Sequence, residues 1–244
     1  MIFVGDGALL RRAVAHAAAQ GHRVDLVCSA DPLDAAAAGP ATPHLVPAPD
    51  VNAHAAVLAA ACTDGIVWSV NNRQIFRAPL LSLGLRIVNV HNGLLPQHRG
   101  LPSAAIAFAL LHGDTEYGAT VHEVDAGIDT GPVLSEHRFP LGPEDRFHQV
   151  MLRGVRACQT LFEQTLPAVA VTDGVLPGPA VSARPPSAPS ALSAPSAYYG
   201  SRALARLGDH RHDPAFARAT DLGPFAAHAP ELARALELVR GGQS

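Results

Sequence analysis

Short apolar runs alternate with Ala- and Leu-rich amphipathic stretches along the first third of the chain. Met1–Gly5 reads as a short buried strand, Ala8–Gln20 as a helix stopped by Gly21, and Arg23–Cys28 as a second strand. Asn52–Cys62 reads as another helix with Asn52 as its N-cap, and Gly65–Val70 and Arg86–His91 as further strands. Strands separated by helical segments predict βαβ units and a parallel sheet. Beyond His91 the pattern changes. Pro102–His112 is helical and ends at Gly113, while Ala119–Asp125 and Val133–Leu141 alternate and predict an antiparallel pair joined by Ala126–Pro132. The strongest helical signal covers Asp145–Val169, where Phe147, Val150, Met151, Val155, Cys158, Leu161, Phe162 and Leu166 recur at helical spacing, with Pro167 as the kink position.

Six prolines fall between Pro177 and Pro195, with Ser and Ala filling most of the rest, which marks a linker or an irregular surface wrap. Ser201–Leu207 and Pro230–Val239 then read as short helices. Tyr198, Tyr199, Leu204 and Leu207 give this tail an apolar face too small to fold alone, so it is expected to return onto the larger domain. The expected organisation is a catalytic domain over 1–171, a linker over 172–197 and a small helical extension over 198–244. The fold class is α/β: a Rossmann-like, mostly parallel sheet with a short C-terminal helical extension.

Composition narrows the chemistry. Hydrophobic residues make up 48% of the 244 residues and the formal net charge is −3, which speaks against a broad nucleic-acid-binding face. All 18 basic residues are Arg. Without lysine there is no Schiff-base, pyridoxal phosphate or Walker A chemistry. Cys28, Cys62 and Cys158 are scattered and form no CxxC pair, which suits a reducing compartment and argues against a metal site. The N-terminus lacks the pattern of a signal peptide, and the longest apolar runs are far shorter than the roughly 20 residues of a membrane span. A cytoplasmic protein with no membrane partner is expected.

Three segments could carry chemistry. Gly5-Asp6-Gly7 begins like a dinucleotide fingerprint, but Leu10 stands where the third glycine belongs, so a tight structural turn is the simpler reading. Asn89-Val90-His91-Asn92-Gly93-Leu94-Leu95-Pro96 places Asn89 and His91 on one face at the end of a strand, where open α/β sheets bind ligands. Alone, such a pair is more often a local capping and hydrogen-bonding device. Asp125-Ala126-Gly127-Ile128-Asp129-Thr130-Gly131-Pro132 packs two carboxylates and two glycines into one loop that lacks calcium-site spacing. No Gly-x-Ser-x-Gly elbow is present.

Together, Asn89-x-His91-x-x-Leu94-Leu95-Pro96, the strand Gly118-Ala119-Thr120-Val121-His122 and the loop Asp-x-Gly-x-Asp-Thr-Gly ending at Gly131 resemble the folate-dependent formyltransferase family. The resemblance covers about Gly65–Leu141. It implies the formyltransferase fold, 10-formyltetrahydrofolate as donor, no metal, and Asn89, His91 and Asp129 as the catalytic Asn, His and Asp. It further implies that Asn72, Arg73, Gln74 and Ile75 form the loop receiving the pterin ring, with Val124 and Asp125 opposite. One departure is Gly93, where the family usually has Ser; branches acting on peptide-synthetase or siderophore building blocks look similar here.

In such a site the Asn and His donate hydrogen bonds to an oxyanion, the His passes a proton to the leaving N10, and the Asp supports the His and deprotonates the attacking amine. The expected reaction is formyl transfer to an amine or hydroxylamine of a small molecule: a natural-product or peptide-synthetase building block, or an amino sugar. His98 and Arg99 are expected to frame the mouth and orient an anion on the acceptor. A homodimer and a carrier-protein-bound acceptor are compatible with the sequence. The alternatives are a 10-formyltetrahydrofolate hydrolase and a methionyl-tRNA-type formyltransferase. Family hydrolases carry an N-terminal regulatory domain, and the tRNA branch adds a basic barrel, whereas residues 198–244 hold six Arg against five acids. A non-enzymatic nicotinamide-binding module would leave Asn89, His91 and Asp129 unexplained.

Overall fold

The computed structural model describes residues 1–170 and 197–241, and the Pro-rich stretch 177–195 expected to be a linker lies outside them. The chain runs β1 (Ile2–Gly5), α1 (Gly7–Ala19), β2 (Leu26–Cys28), α2 (Leu33–Ala36), β3 (His44–Leu45), a 3₁₀ helix (Val51–His54), α3 (Ala55–Ala61) and β4 (Ile66–Val70). Then come α4 (Ala78–Leu81), β5 (Arg86–His91), β6 (His98–Gly100), α5 (Pro102–His112), β7 (Glu116–Glu123), β8 (Val133–Pro140) and α6 (Phe147–Ala170). The tail carries β9 (Ala197–Tyr199), α7 (Ser201–Ala205), α8 (Phe216–Ala219) and α9 (Pro230–Gly241).

Seven strands form one sheet in the order β3-β2-β1-β4-β5-β7-β8. Pairing is parallel from β3 to β5, and β7 runs antiparallel to β5. This is the mostly parallel, Rossmann-like arrangement expected from the alternation of strands and helices. Strands β1, β2 and β4 are buried along their whole length, so their sequences are continuous apolar runs. Strands β3, β6 and β9 are two or three residues long, too short to show a period, and the pattern misses them.

Compact packing divides the chain into two units. The first contains Met1–His91, Thr120–Ser135 and the part of α6 from Cys158 onward. Ile2 and Val4 share a core with Leu26, Val51, Leu58, Val67 and Ile87. Phe3, between them in sequence, points to the other face of the sheet. There Phe162 of α6 packs edge-on against Phe3 at 6.0 Å and Trp68 at 4.9 Å between ring centroids. Each such buried ring contributes up to about 3 kcal/mol. Cys28 and Cys158 are buried, and burial pushes both thiols up to about 12, so neither is a ready thiolate.

The second unit contains Asn92–Ala119, Glu136–Ala157 and the tail. Helix α5 is buried from Ser103 to Leu111, and a helix apolar all round needs enclosure on every side. Tyr199, Leu204, Leu207, Ala219, Leu232 and Leu236 of the tail belong to the same core. Tyr199 stacks on Phe108 at 5.5 Å, and Arg218 donates to the Leu110 carbonyl near the end of α5 at 3.1 Å. Strand β9 pairs in parallel with β6, with Tyr198 opposite Arg99.

The expected helix Asn52–Cys62 is divided. Asp50, rather than Asn52, caps its start, accepting from the Asn52 and Ala53 N–H groups at 2.8 and 3.3 Å. Asn52 turns inward. The β1–α1 turn uses its polar groups internally. Asp6 accepts from the Ala30 N–H at 2.7 Å, and the Gly7 N–H donates to buried Asp34 at 3.2 Å, which Arg11 also holds at 2.8 Å.

Gly5 and Gly7 make a testable pair. Gly5 has φ +149°, and a Cβ there would fall 1.8 Å from the Val70 carbonyl oxygen, a backbone atom that cannot step aside. Gly7 has φ +78° but open space, with Asn71 Nδ2 nearest at 3.9 Å. Gly5→Ala is expected to cost more than about 4 kcal/mol, and Gly7→Ala about 1 kcal/mol. Thermal and denaturant melts of both variants check this; equal losses would contradict the close approach.

Removing residues 198–241 is expected to lower the melting temperature and raise binding of a hydrophobic dye, because α5 loses its cover. An unchanged melt would mean the tail adds nothing to that core.

Candidate active site

Strand β5 buries Val88 and Val90, which leaves Asn89 and His91 together on the other side. The antiparallel register sets Asn89 opposite His122 and His91 opposite Thr120. Asn89 Nδ2 lies 3.0 Å from His122 Nε2, and His122 Nδ1 lies 2.8 Å from the Glu123 carbonyl oxygen. A carbonyl oxygen can only accept, so Nδ1 carries the hydrogen and Nε2 offers its lone pair to the Asn89 amide. The orientation of Asn89 is thereby held by its cross-strand neighbour. His122 was visible in the Thr-x-His strand motif, but its place opposite Asn89 needed the strand register.

Asp129 comes from the β7–β8 loop. Its Oδ2 lies 3.8 Å from His91 Nδ1 and its Oδ1 3.6 Å from His122 Nε2. These are charge contacts longer than a hydrogen bond. The rings of His91 and His122 are 5% and 3% exposed and the Asp129 carboxylate 12%, so the cluster sits at the edge of the interior. The loop is tightly closed. Asp125 accepts from the Gly127 N–H at 3.0 Å and the Thr130 hydroxyl at 2.6 Å, and the Glu123 N–H donates to the Pro132 carbonyl at 2.9 Å. A Cβ on Gly131 would fall 2.0 Å from the Glu123 carbonyl oxygen. Asp129 itself has φ +51°, a left-handed conformation costly for a residue with a Cβ.

The segment after β4 lies in the same unit. Asn72 Oδ1 accepts from the Gln74 N–H at 2.9 Å and its Nδ2 donates to the Gln74 carbonyl at 3.0 Å, forming a closed turn. Gln74 Oε1 accepts from the Val51 N–H. Arg73 and Ile75 are exposed, and Ile75 presents 50% of its surface outward. The Val124 N–H donates to the Ile87 carbonyl at 2.9 Å, while Asp125 is exposed. An exposed apolar side chain on a backbone already tied down suits a flat ring system.

His98 does not take the place expected of it. It is 3% exposed, stacks on Tyr117 at 4.5 Å, accepts from the Leu94 N–H at 3.2 Å and donates to Asp114 at 3.1 Å. Its ring braces the turn between Leu94 and β6 and is not offered to an acceptor. Among the described residues, the one metal-like group is Asp25, Cys62 and Asp64, and it involves none of the site residues.

A Rossmann-like α/β fold with Asn, His and Asp converging at the C-terminal end of a central strand has its polar site where this class of sheet holds ligands. Residues 48–166 match the family model of the formyl transferases. It is 41% identical over 90 residues to methionyl-tRNA formyltransferase from Aromatoleum aromaticum, covering 37% of this chain and 28% of that protein. The matched stretches span between 18% and 33% of such curated relatives. Glycinamide ribonucleotide transformylase 1 from Symbiobacterium toebii superposes with a TM-score of 0.61 at 27% identity, covering 71% of this chain and 90% of that one. A sugar N-formyltransferase from Shewanella shares the fold with a TM-score of 0.62 at 19% identity, covering 89% and 85%.

The backbone at Asp129 can be tested separately from its charge. Asp129→Gly and Asp129→Ala remove the same carboxylate, but only glycine relieves the left-handed conformation. Asp129→Gly is expected to be more stable than Asp129→Ala by about 1 kcal/mol in denaturant melts. The reverse order would place the residue in an ordinary conformation.

Proposed function

We propose that the chain is an N-formyltransferase that moves the formyl group of 10-formyltetrahydrofolate onto an uncharged amine or hydroxylamine of a small molecule. The observation that carries this reading is the meeting of Asn89, His91 and Asp129 within one unit, in a stretch that matches the formyl transferase model. The loop Asn72–Ile75, with Val124 and Asp125, is the proposed seat of the donor's ring system. The donor supplies an activated formyl group with N10 as its leaving nitrogen.

The residues divide the work. One Asn89 N–H is committed to His122, which aims the other at the formyl oxygen as it gains negative charge; such a donor is worth about 3 kcal/mol or more. His91 moves a proton to the leaving nitrogen. Asp129 stabilises positive charge on that ring as the proton passes and, directly or through a water, takes the proton of the attacking amine. No covalent enzyme intermediate enters, in keeping with the two buried, strongly raised thiols.

The acceptor reading rests on charge. Phosphate-backbone recognition needs several cations on one face, and this chain has net charge −3 and no lysine. Gly7, at the start of α1, already serves Asp34, which disfavours the nicotinamide-binding alternative. Water as acceptor is the remaining competitor.

Asn89→Ala, His91→Ala and Asp129→Ala are each expected to lower kcat by about 10²–10⁴-fold while leaving the fold and donor binding in place. His91→Ala retaining a tenth of wild-type turnover would exclude the proton-transfer role.

The acceptor is tested with amino sugars, N-hydroxyornithine-like amines and charged initiator tRNA, with product mass as readout. The expected result is formylation of a small amine, with a rate that rises with pH until the acceptor is deprotonated. Efficient tRNA formylation that weakens steeply with salt would overturn the small-molecule reading. Free formate as the sole product would assign water as acceptor.

A further inference from the structure

Asn52 sits 23 residues before Ile75 of the loop that is proposed to receive the donor, and its sequence position suggests a helix cap and nothing more. It is only 9% exposed. Asp50 already caps the 3₁₀ helix, so Asn52 is not needed there. Its carboxamide is instead used at both ends on the backbone of the β4–α4 segment. Nδ2 donates to the Ile75 carbonyl at 2.9 Å, and Oδ1 accepts from the Arg77 N–H at 2.7 Å. The amide thus bridges across Phe76, whose ring is buried in the same core as Val51. The lacing also runs the other way, since Gln74 Oε1 accepts from the Val51 N–H and Arg77 pairs with Asp50 at 2.8 Å. Between these ties the one large apolar side chain left facing outward is Ile75.

Burying an amide is unfavourable unless all its hydrogen-bonding groups find partners, and an apolar residue would fill the space more cheaply. What Asn52 provides is a fixed backbone for residues 75–77. A loop that must be ordered when its ligand arrives loses affinity to that ordering, whereas a loop ordered by the fold does not. Holding even one residue in a single backbone conformation is enough to change affinity about tenfold.

We infer that Asn52 is a positioning residue for the formyl donor: its doubly bonded carboxamide presets the loop that presents Ile75 to the donor's ring system. The inference rests on the reading of this loop as the donor site. The Asn52 carboxamide is bonded to the backbone of Ile75 and Arg77 and not to the Asn89–His91–Asp129 cluster, so it governs donor affinity and leaves the chemical step alone.

The test combines direct binding with steady-state kinetics on the full chain. Titration calorimetry with 5-formyltetrahydrofolate, a stable folate probe, compares wild type with Asn52→Ala and with Asn52→Asp. The isosteric Asp keeps the acceptor for the Arg77 N–H but loses the donor to Ile75, and it serves where the Ala variant fails to fold. Asn52→Ala is expected to raise Kd for the probe and KM for the donor about tenfold. Asn52→Asp, which turns a carboxylate oxygen onto the Ile75 carbonyl, should weaken donor binding at least as much, with kcat at saturating donor and the acceptor KM within about twofold of wild type in both variants. Unchanged donor affinity in variants of a wild type that binds the probe would overturn the inference, as would an equal rise in acceptor KM. A wild type that does not bind the probe would instead overturn the donor reading, and the inference with it.

Discussion

The antiparallel pairing of β7 on β5 is the constraint on which the site depends. Strand β5 alone carries Asn89 and His91, and the Asn89 amide has no fixed orientation until β7 brings His122 opposite it. The same strand then delivers the loop that returns Asp129 toward both imidazoles. A register slip of one residue would turn every side chain of β7 to the other face. Buried Val88, Val90 and Val121 oppose that slip, because their apolar surface would have to be exposed. Hydrophobic burial on one side of the sheet therefore sets the polar geometry on the other.

That geometry is held against local preference. Two imidazoles and a carboxylate sit at the edge of the interior, and Asp129 keeps a left-handed backbone. Such choices destabilise a fold unless the surroundings over-determine them. Here they do: the Asp125 turn, the Gly131 approach to Glu123 and the Glu123–Pro132 hydrogen bond close the loop from both ends. The aromatic contacts of Phe3, Trp68 and Phe162 in the same unit supply stability away from the chemistry.

Polar side chains elsewhere are mostly occupied in shaping backbone. Asn72 closes its own turn, Asn52 clamps residues 75 and 77, Asp34 holds the start of α1, and His98 braces the Leu94 turn. Asn72 and Gln74 were expected near the donor, and their side chains serve the loop itself. Arg73 and Ile75 are the members of that group presented outward, and Ile75 is the apolar one.

The sequence by itself determined the α/β class, the long helices and the motifs in which Asn89, His91 and Asp129 stand, because periodicity and short motifs are local properties. The strand Arg86–His91 has the same bounds in pattern and structure, since both its ends coincide with a change in hydrophobic period. Only the tertiary structure decided what depends on partners distant in sequence. His122 gained its place from an antiparallel register, and Asn52 changed from an expected helix cap to a buried clamp because Asp50 took the cap. His98 was drawn inside by Tyr117 and Asp114. Helix α5 is apolar on all sides, and it took the tail to enclose it. A hydrogen bond between residues twenty or thirty positions apart leaves no local period, so the fold has to bring the partners together before it can be seen.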